Sequence, residues 1–423
     1  MYNFSYSVRI LKEEIQEFLD GICEGIPRPD AKLVFDLVYG ILRSGSTKVS
    51  MISRALGEAR RLDSTEHRLT RAIESRDVSA VRDALAAYSV DVSDSFLALD
   101  ESDIQKPYGK AFEWLDDVQD GSEDGRPVGK GYHVIGLAAI GSRKAVFPIA
   151  LHVYSAKADG FESQQKETEK VLPDAEGRTL SMDRGYDGTI WMGVAGKAKM
   201  DWTIRAKSNR KYGVLSMKSG KKTIKEIQKA VKGRYAFHFR DPERKEDVLV
   251  KATALRVSHP DLPEGTWLVI EYFPGEAEAR CYLTSLDCST KEGCQKALKC
   301  YRQRWRIEEF FRFAKVVYGM EGFMVRNINA VNWIMTAVCI AAAFLSTMSA
   351  SKSKAWHECR EAYRSFGRHM PDAEIIQARG HIPIELYHLA YGVMELLGHS
   401  SGKMKPSGRD RTGRPKYVQT RLF

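Results

Sequence analysis

The chain has 423 residues, long enough for more than one domain and a sizeable core, and its 43% hydrophobic content places it with globular proteins rather than disordered or fibrous ones. A formal charge of +10 and a pI near 9.1 favour a polyanionic partner. Seven cysteines, an odd number with no Cys-x2-Cys pair, argue against a structural zinc site, and with no signal peptide expected they fit reduced thiols in a cytoplasm.

Residues 1 to 93 carry helical periodicity and few strand signals. Apolar residues recur at helical intervals from Val8 to Leu19 and from Lys32 to Leu42. Two shorter helices are predicted over Ser50–Ala59 and Ser64–Ser75. Their basic residues, Arg54, Arg60, Arg61, Arg68 and Arg71, would suit either a helix-turn-helix-like reader of DNA or a solvated basic face on a plain bundle.

From about residue 94 the pattern changes to strands. Ser95–Asp100 is a short apolar run that Asp100 should close, with Asp103 beyond it and Pro107 stopping any strand. Gly131–Ile140 and Lys144–Tyr154 flank Gly141-Ser-Arg and read as a hairpin, with His133 and His152 as packing residues rather than ligands. A helix near Ser163–Leu172 follows. Thr179–Asp183 is then a strand ending in a carboxylate, and Asp187 past the next turn is expected to cap a helix. Asp201–Lys207 is extended and ends in cations, with Arg210 close behind. Residues 207 to 286 are basic and strand-like, with alternation in Tyr235–Arg240, Val248–Val257 and Trp267–Phe273.

A capping-box pattern at Ser289–Glu292 should open a helix that can run to Gly319. On such a helix Tyr301, Arg304, Glu308 and Lys315 fall within an arc of about 60°, at about 100° per residue. Phe310, Phe311 and Phe313 point elsewhere, so the polar stripe faces something specific rather than bulk water. A carboxylate flanked by cations and a phenol suits a metal and a phosphate. The uncharged run Ala330–Met348 meets the length of a membrane span, but its alanines, Asn332 and Thr336 and its isolation predict a helix buried against a sheet. Residues 351 to 400 read as further helices interrupted by Pro371 and Pro383, and the basic stretch from Gly402 to Lys416 as a flexible tail.

The spacing Tyr301-x2-Arg304-x3-Glu308-x6-Lys315 resembles, without a gap, the signature of bacterial insertion-sequence transposases of the Y-R-E-K subgroup, a branch of the DDE transposases. The resemblance implies a ribonuclease-H-like catalytic core, hence an α/β fold with a mixed sheet, interrupted by a β-rich insertion and flanked by helical N- and C-terminal regions. Its divisions would be 1–93 for recognition of DNA ends, 94–206 and 287–350 for the core, 207–286 for the insertion, and 351–423 for a helical region with a basic tail and a part in dimerisation.

The family requires two upstream aspartates at strand ends. Asp100 is favoured over Asp103, and Asp183 over Asp187. Asp100, Asp183 and Glu308 would then bind two Mg²⁺ ions, for which Mn²⁺ can substitute, since hard oxygen ligands suit such ions and two of them can activate attacking and leaving oxygens together. Water would nick the strand at the element's end, and the released 3′ hydroxyl would attack a second phosphodiester. Tyr301, Arg304 and Lys315 would hold phosphates of the terminal nucleotides. Arg205 and Arg210 would face DNA, and Arg54, Arg60, Arg61 and Arg68 would read the terminal inverted repeats. The partners implied are duplex DNA, both element ends and target, and a second copy in a synapsed homodimer, in a bacterial cytoplasm and with no membrane. The insertion's strand before Leu283-Thr-Ser285 offers Arg280, Cys281 and Tyr282 and no tryptophan, which leaves the residue for stacking a flipped base open. Two rival readings are a nuclease of the same fold that cuts without joining, and a non-catalytic regulator that binds element ends.

Overall fold

Why the middle of the chain makes one sheet is visible in its pairing. In the computed structural model, residues 3–93, 96–119, 127–141, 145–217, 220–240, 246–276, 278–366, 384–400, 404, 408–409 and 415–416 are described. Five helices come first: α1 (Phe4–Ile22), α2 (Arg28–Ser44), α3 (Val49–Leu56), α4 (Leu62–Ser75) and α5 (Ser79–Asp91). Gly45 and Gly57 end α2 and α3 in the left-handed region, at φ of 61° and 57°, where a side chain would be strained. The helices α2 and α3 approach so closely at Gly40 that a Cβ there would lie 2.4 Å from Ile52 Cγ2. Buried Asp36 on α2 takes both Lys32 and Arg68, which fastens α4 to α2.

The strands β1 (Phe96–Gln105), β3 (Val128–Ile140), β4 (Val146–Tyr154), β5 (Thr179–Met182) and β6 (Asp201–Arg205) build the core, in the order β4-β3-β1-β5-β6. β1 runs antiparallel to β3 and parallel to β5, and β5 parallel to β6. This is the mixed sheet expected of a ribonuclease-H-like core, and the chain is α/β. The hairpin of β3 and β4 is present, with its tip at 142–144 outside the described residues. Short α6 (Gln164–Glu169) and α7 (Thr189–Lys197) flank β5.

The strands of residues 207–286, the expected insertion, add to this sheet rather than standing apart. They are β7 (Lys211–Val214), β8 (Lys222–Thr223), β9 (Tyr235–Arg240), β10 (Asp247–Ser258), β11 (Trp267–Tyr272) and β12 (Arg280–Thr284), with α8 (Ile224–Ala230) between β8 and β9. β12 pairs antiparallel with β6, so the ladder continues from the core through β12, β11 and β10. With β2 (Asp116–Gln119) on the N-terminal half of β3, the described residues form a twelve-stranded sheet.

The helices α9 (Lys291–Gln303) and α10 (Arg306–Val317) follow, then α11 (Ile328–Ser351), α12 (Lys354–Phe366) and α13 (Ile384–Gly398). Among the described residues α11 is the one helix long and apolar enough to cross a membrane, and it is buried in the core. The polar Asn332 within it has a specific use. Its side-chain amide accepts from Val153 N and donates to Val153 O, both at 2.9 Å, and so supplies partners to β4 at the edge of the sheet. One apolar cluster joins α1–α5, β1, β3 and β4 with α10–α13. Pro371 and Pro383 lie outside the described residues, as does most of the basic tail, of which the two-residue strands β13 (Gly408–Arg409) and β14 (Pro415–Lys416) pair antiparallel.

Three local expectations change. β1 does not stop at Asp100: its ladder with β3 holds from Phe96↔Ile140 to Gln105↔Gly131, so Asp103 lies in the strand as well. The helix expected over 289–319 is two helices. Between them Arg304 N, Ile307 N and Glu308 N bond to carbonyls three residues back rather than four, a tighter turn around Arg304 and Trp305. Its cap is Thr290, whose side chain accepts from Gly293 N, one residue later than the capping-box pattern placed it. Gly319 does stop the second helix, at φ 58°.

Candidate active site

Asp100 sits in β1 beside the end of β5, because Leu99 pairs with Met182 and Asp183 is the next residue after it. The break after α9 turns Arg304 towards this sheet end. Its Nη1 donates to Asp100 Oδ2 and its Nη2 to Glu308 Oε1, each at 2.6 Å, so one guanidinium bridges a strand carboxylate and a helix carboxylate. Tyr301 donates its hydroxyl to Asp183 Oδ1 at 3.3 Å. Asp100, Asp183, Tyr301, Arg304 and Glu308 therefore share one end of the sheet, although the last three lie on two helices and the turn between them rather than on one helix.

The electrostatics follow from this crowding. Burial pushes the Asp100 carboxyl up to about 6, helped by the negative charges of Glu308 and Asp183 and opposed by Arg304 and by the Glu101 N–H. Burial also works against the Arg304 charge, but Asp100 and Glu308 outweigh it and hold the guanidinium more firmly protonated than usual. Burial raises the Tyr301 phenol. The Glu308 side chain is 54% exposed and the Asp100 side chain 17%, so the pair is open on the helix side and closed on the sheet side.

Lys315 lies one helical stretch further on and pairs with Glu321 at 3.0 Å, outside the bridge itself. Arg205 ends β6, next to Asp183's strand, and its charge acts on Tyr301. Arg210 departs from the reading that it faces DNA. It is committed to buried Asp187, with Nη1 donating to Oδ1 at 2.6 Å and Nη2 to the backbone carbonyl at 3.0 Å. Asp187 also accepts from Lys207 N and does not cap α7, since Gly188 is the residue that precedes that helix. Arg54 on α3, Arg71 on α4, and Arg60 and Arg61 between these helices are exposed. Arg68 is instead bound to Asp36 and Glu58, at 2.8 and 2.9 Å, which gives it a structural use.

One buried group was not singled out by its sequence. Glu271 on β11 is fully buried, accepts the Tyr282 hydroxyl at 2.8 Å and is bonded by Arg302 Nη2. Arg302 in turn lies 3.4 Å over the Phe239 ring, and Tyr282 packs on Tyr301 with ring centroids 4.5 Å apart. The insertion is thereby tied to the residue beside Tyr301. An ionisable residue inside the apolar run Trp267–Tyr272 was the available signal.

The model of the transposase DDE domain family matches residues 92–344. The chain belongs to this family. No curated protein matches it. The matched span begins just before β1 and ends within α11, so it takes in the strands β1–β12 and the helices α9 and α10 of this transposase. The seven cysteines are buried and free, and no group of three metal-ligating side chains converges among the described residues.

The family generally uses divalent metal ions, and the donor chemistry fits one. Asp100, Asp183 and Glu308 come from three separate elements to one end of the sheet, oxygen donors of the kind Mg²⁺ and Mn²⁺ prefer, without closing into a ligating cluster. Arg304 is at present the cation between two of them.

Proposed function

We propose that this transposase is of the Y-R-E-K type, binds the terminal inverted repeats of an insertion sequence, and cuts and joins DNA with Asp100, Asp183 and Glu308 as the ligands of two divalent ions. The observation that carries this reading is the Arg304 bridge from Asp100 to Glu308, with Tyr301 on Asp183 beside it. Chance placement of three acids among 55 would not put them at one sheet end under the same helical signature.

Bound divalent ions would supply Lewis-acid activation of the attacking and leaving oxygens. The chain's own residues do the rest. Tyr301, Arg304 and Lys315 line up donors and positive charge for consecutive phosphates, and Arg205 extends that charge across the end of β6. The Glu271–Tyr282–Arg302 cluster keeps Tyr301 seated against the insertion. Exposed Arg54, Arg60, Arg61 and Arg71, on α3, α4 and the link between them, serve recognition of the ends, while α12 and α13 serve pairing of two copies on DNA. The enzyme would act in the bacterial cytoplasm.

The test is Mg²⁺- and Mn²⁺-dependent cleavage of DNA flanking the gene, followed by strand transfer into a target plasmid, for the native chain and Glu308→Gln. Breaks at the element boundary that the variant loses support the reading. Undiminished cleavage by Glu308→Gln would refute the ligand set, and cleavage without transfer would favour a plain nuclease.

A further inference from the structure

β1 and β3 continue well past the carboxylates. From Asp100 to Gln105 is about 16 Å at about 3.3 Å per residue, and the turn Lys106–Lys110 follows directly. This turn is firmly held. Buried Lys106 donates through Nζ to the carbonyls of Glu321 and Phe323, the second at 2.7 Å, and lies 3.7 Å over the Phe323 ring. Gly109 N closes the turn on Lys106 O at 2.9 Å, Phe112 meets Phe323 edge-on, and Glu113 N donates to Arg326 O at 3.0 Å.

A turn so anchored has no packing reason to expose a large ring at its tip. Tyr108 is nevertheless 95% exposed, and Met324 on the facing loop is 67% exposed. The cations around them are exposed too. Lys110 is on the turn, Arg326 on the facing loop, and Lys48, at the start of α3, reaches within 3.8 Å of the position a Cβ on Gly322 would take. Among the described residues, Glu321 is engaged with Lys315 and Glu113 with Ile328 N. An exposed aromatic and a methionine set among cations that pair with no acid among the described residues is a surface suited to stacking on bases while neutralising phosphates.

We infer that this ledge is a DNA contact separate from the catalytic end, with Tyr108 and Met324 pressed against bases and Lys48, Lys110 and Arg326 on the backbone. Its place along β1 puts it about five base pairs from the scissile phosphate, at about 3.4 Å per base pair. The inference rests on the transposase reading for the identity of that DNA. It gives the strand extension beyond Asp100 a function of its own: gripping and distorting the duplex beside the cut.

The test uses the full chain and element-end duplexes carrying 2-aminopurine at single positions four to six from the cleavage site. Binding of the native chain should raise the fluorescence at one of these positions at least twofold. Tyr108→Ala should lose that signal and bind roughly tenfold more weakly, whereas Tyr108→Phe, which keeps the ring, should retain both. Alanine at Lys48, Lys110 or Arg326 should each lower the salt slope of binding by about one. Native-like signal and affinity in Tyr108→Ala, with cleavage intact, would overturn the ledge and leave the transposase reading standing. Loss of self-association in Tyr108→Ala with the DNA signal unchanged would likewise overturn it, in favour of a second copy as occupant. A native chain that binds no element DNA would overturn both.

Discussion

Gly136→Ala tests whether the helix bearing Glu308 is seated on β3 as described. Gly136 pairs with Asp100 across β1 and β3, and a Cβ there would lie 2.3 Å from Phe311 Cζ, 2.7 Å from Phe311 Cε1 and 3.3 Å from Ile307 Cδ1. Ordinary contact begins at 3.4 Å, so the buried Phe311 ring must retreat by about an ångström, and α10 with it. Overpacking of this kind costs about 1–3 kcal/mol. Alanine's smaller unfolded-state entropy returns about 0.4–1 kcal/mol. The expected result is a net loss of about 1–2 kcal/mol in urea unfolding, with end cleavage reduced beyond what the loss of folded protein accounts for, because Glu308 is the residue next to Ile307. Phe311→Leu in the same chain should recover part of both, as a coupling in the double-mutant cycle. Gly193→Ala in α7, where a Cβ meets nothing within 4 Å, is the control and should be neutral or mildly stabilising. Full additivity of Gly136→Ala and Phe311→Leu, or unchanged stability and cleavage in Gly136→Ala, would refute the seating of α10 on β3.

Arg302→Leu strands the fully buried Glu271 and should cost about 3–5 kcal/mol, whereas Arg302→Leu with Glu271→Leu should be closer to native stability; equal losses in chemical unfolding would show that the pair is not electrostatically coupled. Arg304→Leu removes the cation between Asp100 and Glu308, so titration calorimetry without DNA should show tighter Mn²⁺ binding while end cleavage falls; unchanged Mn²⁺ affinity would mean that the guanidinium does not compete with an ion. His152 is buried with Glu167, Arg82 and Lys170 around it, and burial lowers its pKa below the ordinary 6.5. The unfolded chain then takes up this proton first on acidification, so the stability it contributes is complete above pH 6.5 and is lost as pH falls towards the lowered value. A urea series from pH 7.5 to 5.5 should show that slope in the native chain and a flatter one in His152→Gln; parallel curves would remove His152 as its source.

The site was legible because its residues obey short spacings and strand grammar. Asp183 ends a four-residue apolar strand, and Tyr301, Arg304, Glu308 and Lys315 keep a helical interval that survives the turn at Arg304 and Trp305, though the turn itself does not show. No proline or glycine marks that break, and the bonds that accompany it, from Arg304 to Asp100 and Glu308, join residues about 200 apart and four apart. Asp100 was expected to close its strand, and the strand instead runs five residues further than the apolar run suggests. The extra length depends on the ladder to Gly131–Gly136, which no local pattern reports. Arg68 and Arg210 show the same limit from the other side. Both look like free cations in sequence, and both are taken by a buried aspartate more than 20 residues away. The division into separate N-terminal helices and core was drawn from the change of periodicity near residue 94 and from the family resemblance. The apolar cluster shared by α1–α5, α11 and β4 shows that these helices also cover one flank of the sheet.

The joining of the insertion to the core has a consequence for how this enzyme holds its reacting groups. β12 pairs with β6, and Tyr282 on β12 packs on Tyr301 while its hydroxyl bonds to Glu271 on the neighbouring strand. Arg302 closes the circuit back to Glu271 from the helix, one residue from Tyr301. A continuous ladder and a buried charge cluster are stiff connections, since neither can slide without leaving backbone groups or a carboxylate unpaired. The end of α9 is therefore fixed to β11 and β12, whereas the turn just beyond it, at Arg304 and Trp305, is held by three-residue bonds and by a guanidinium shared between Asp100 and Glu308.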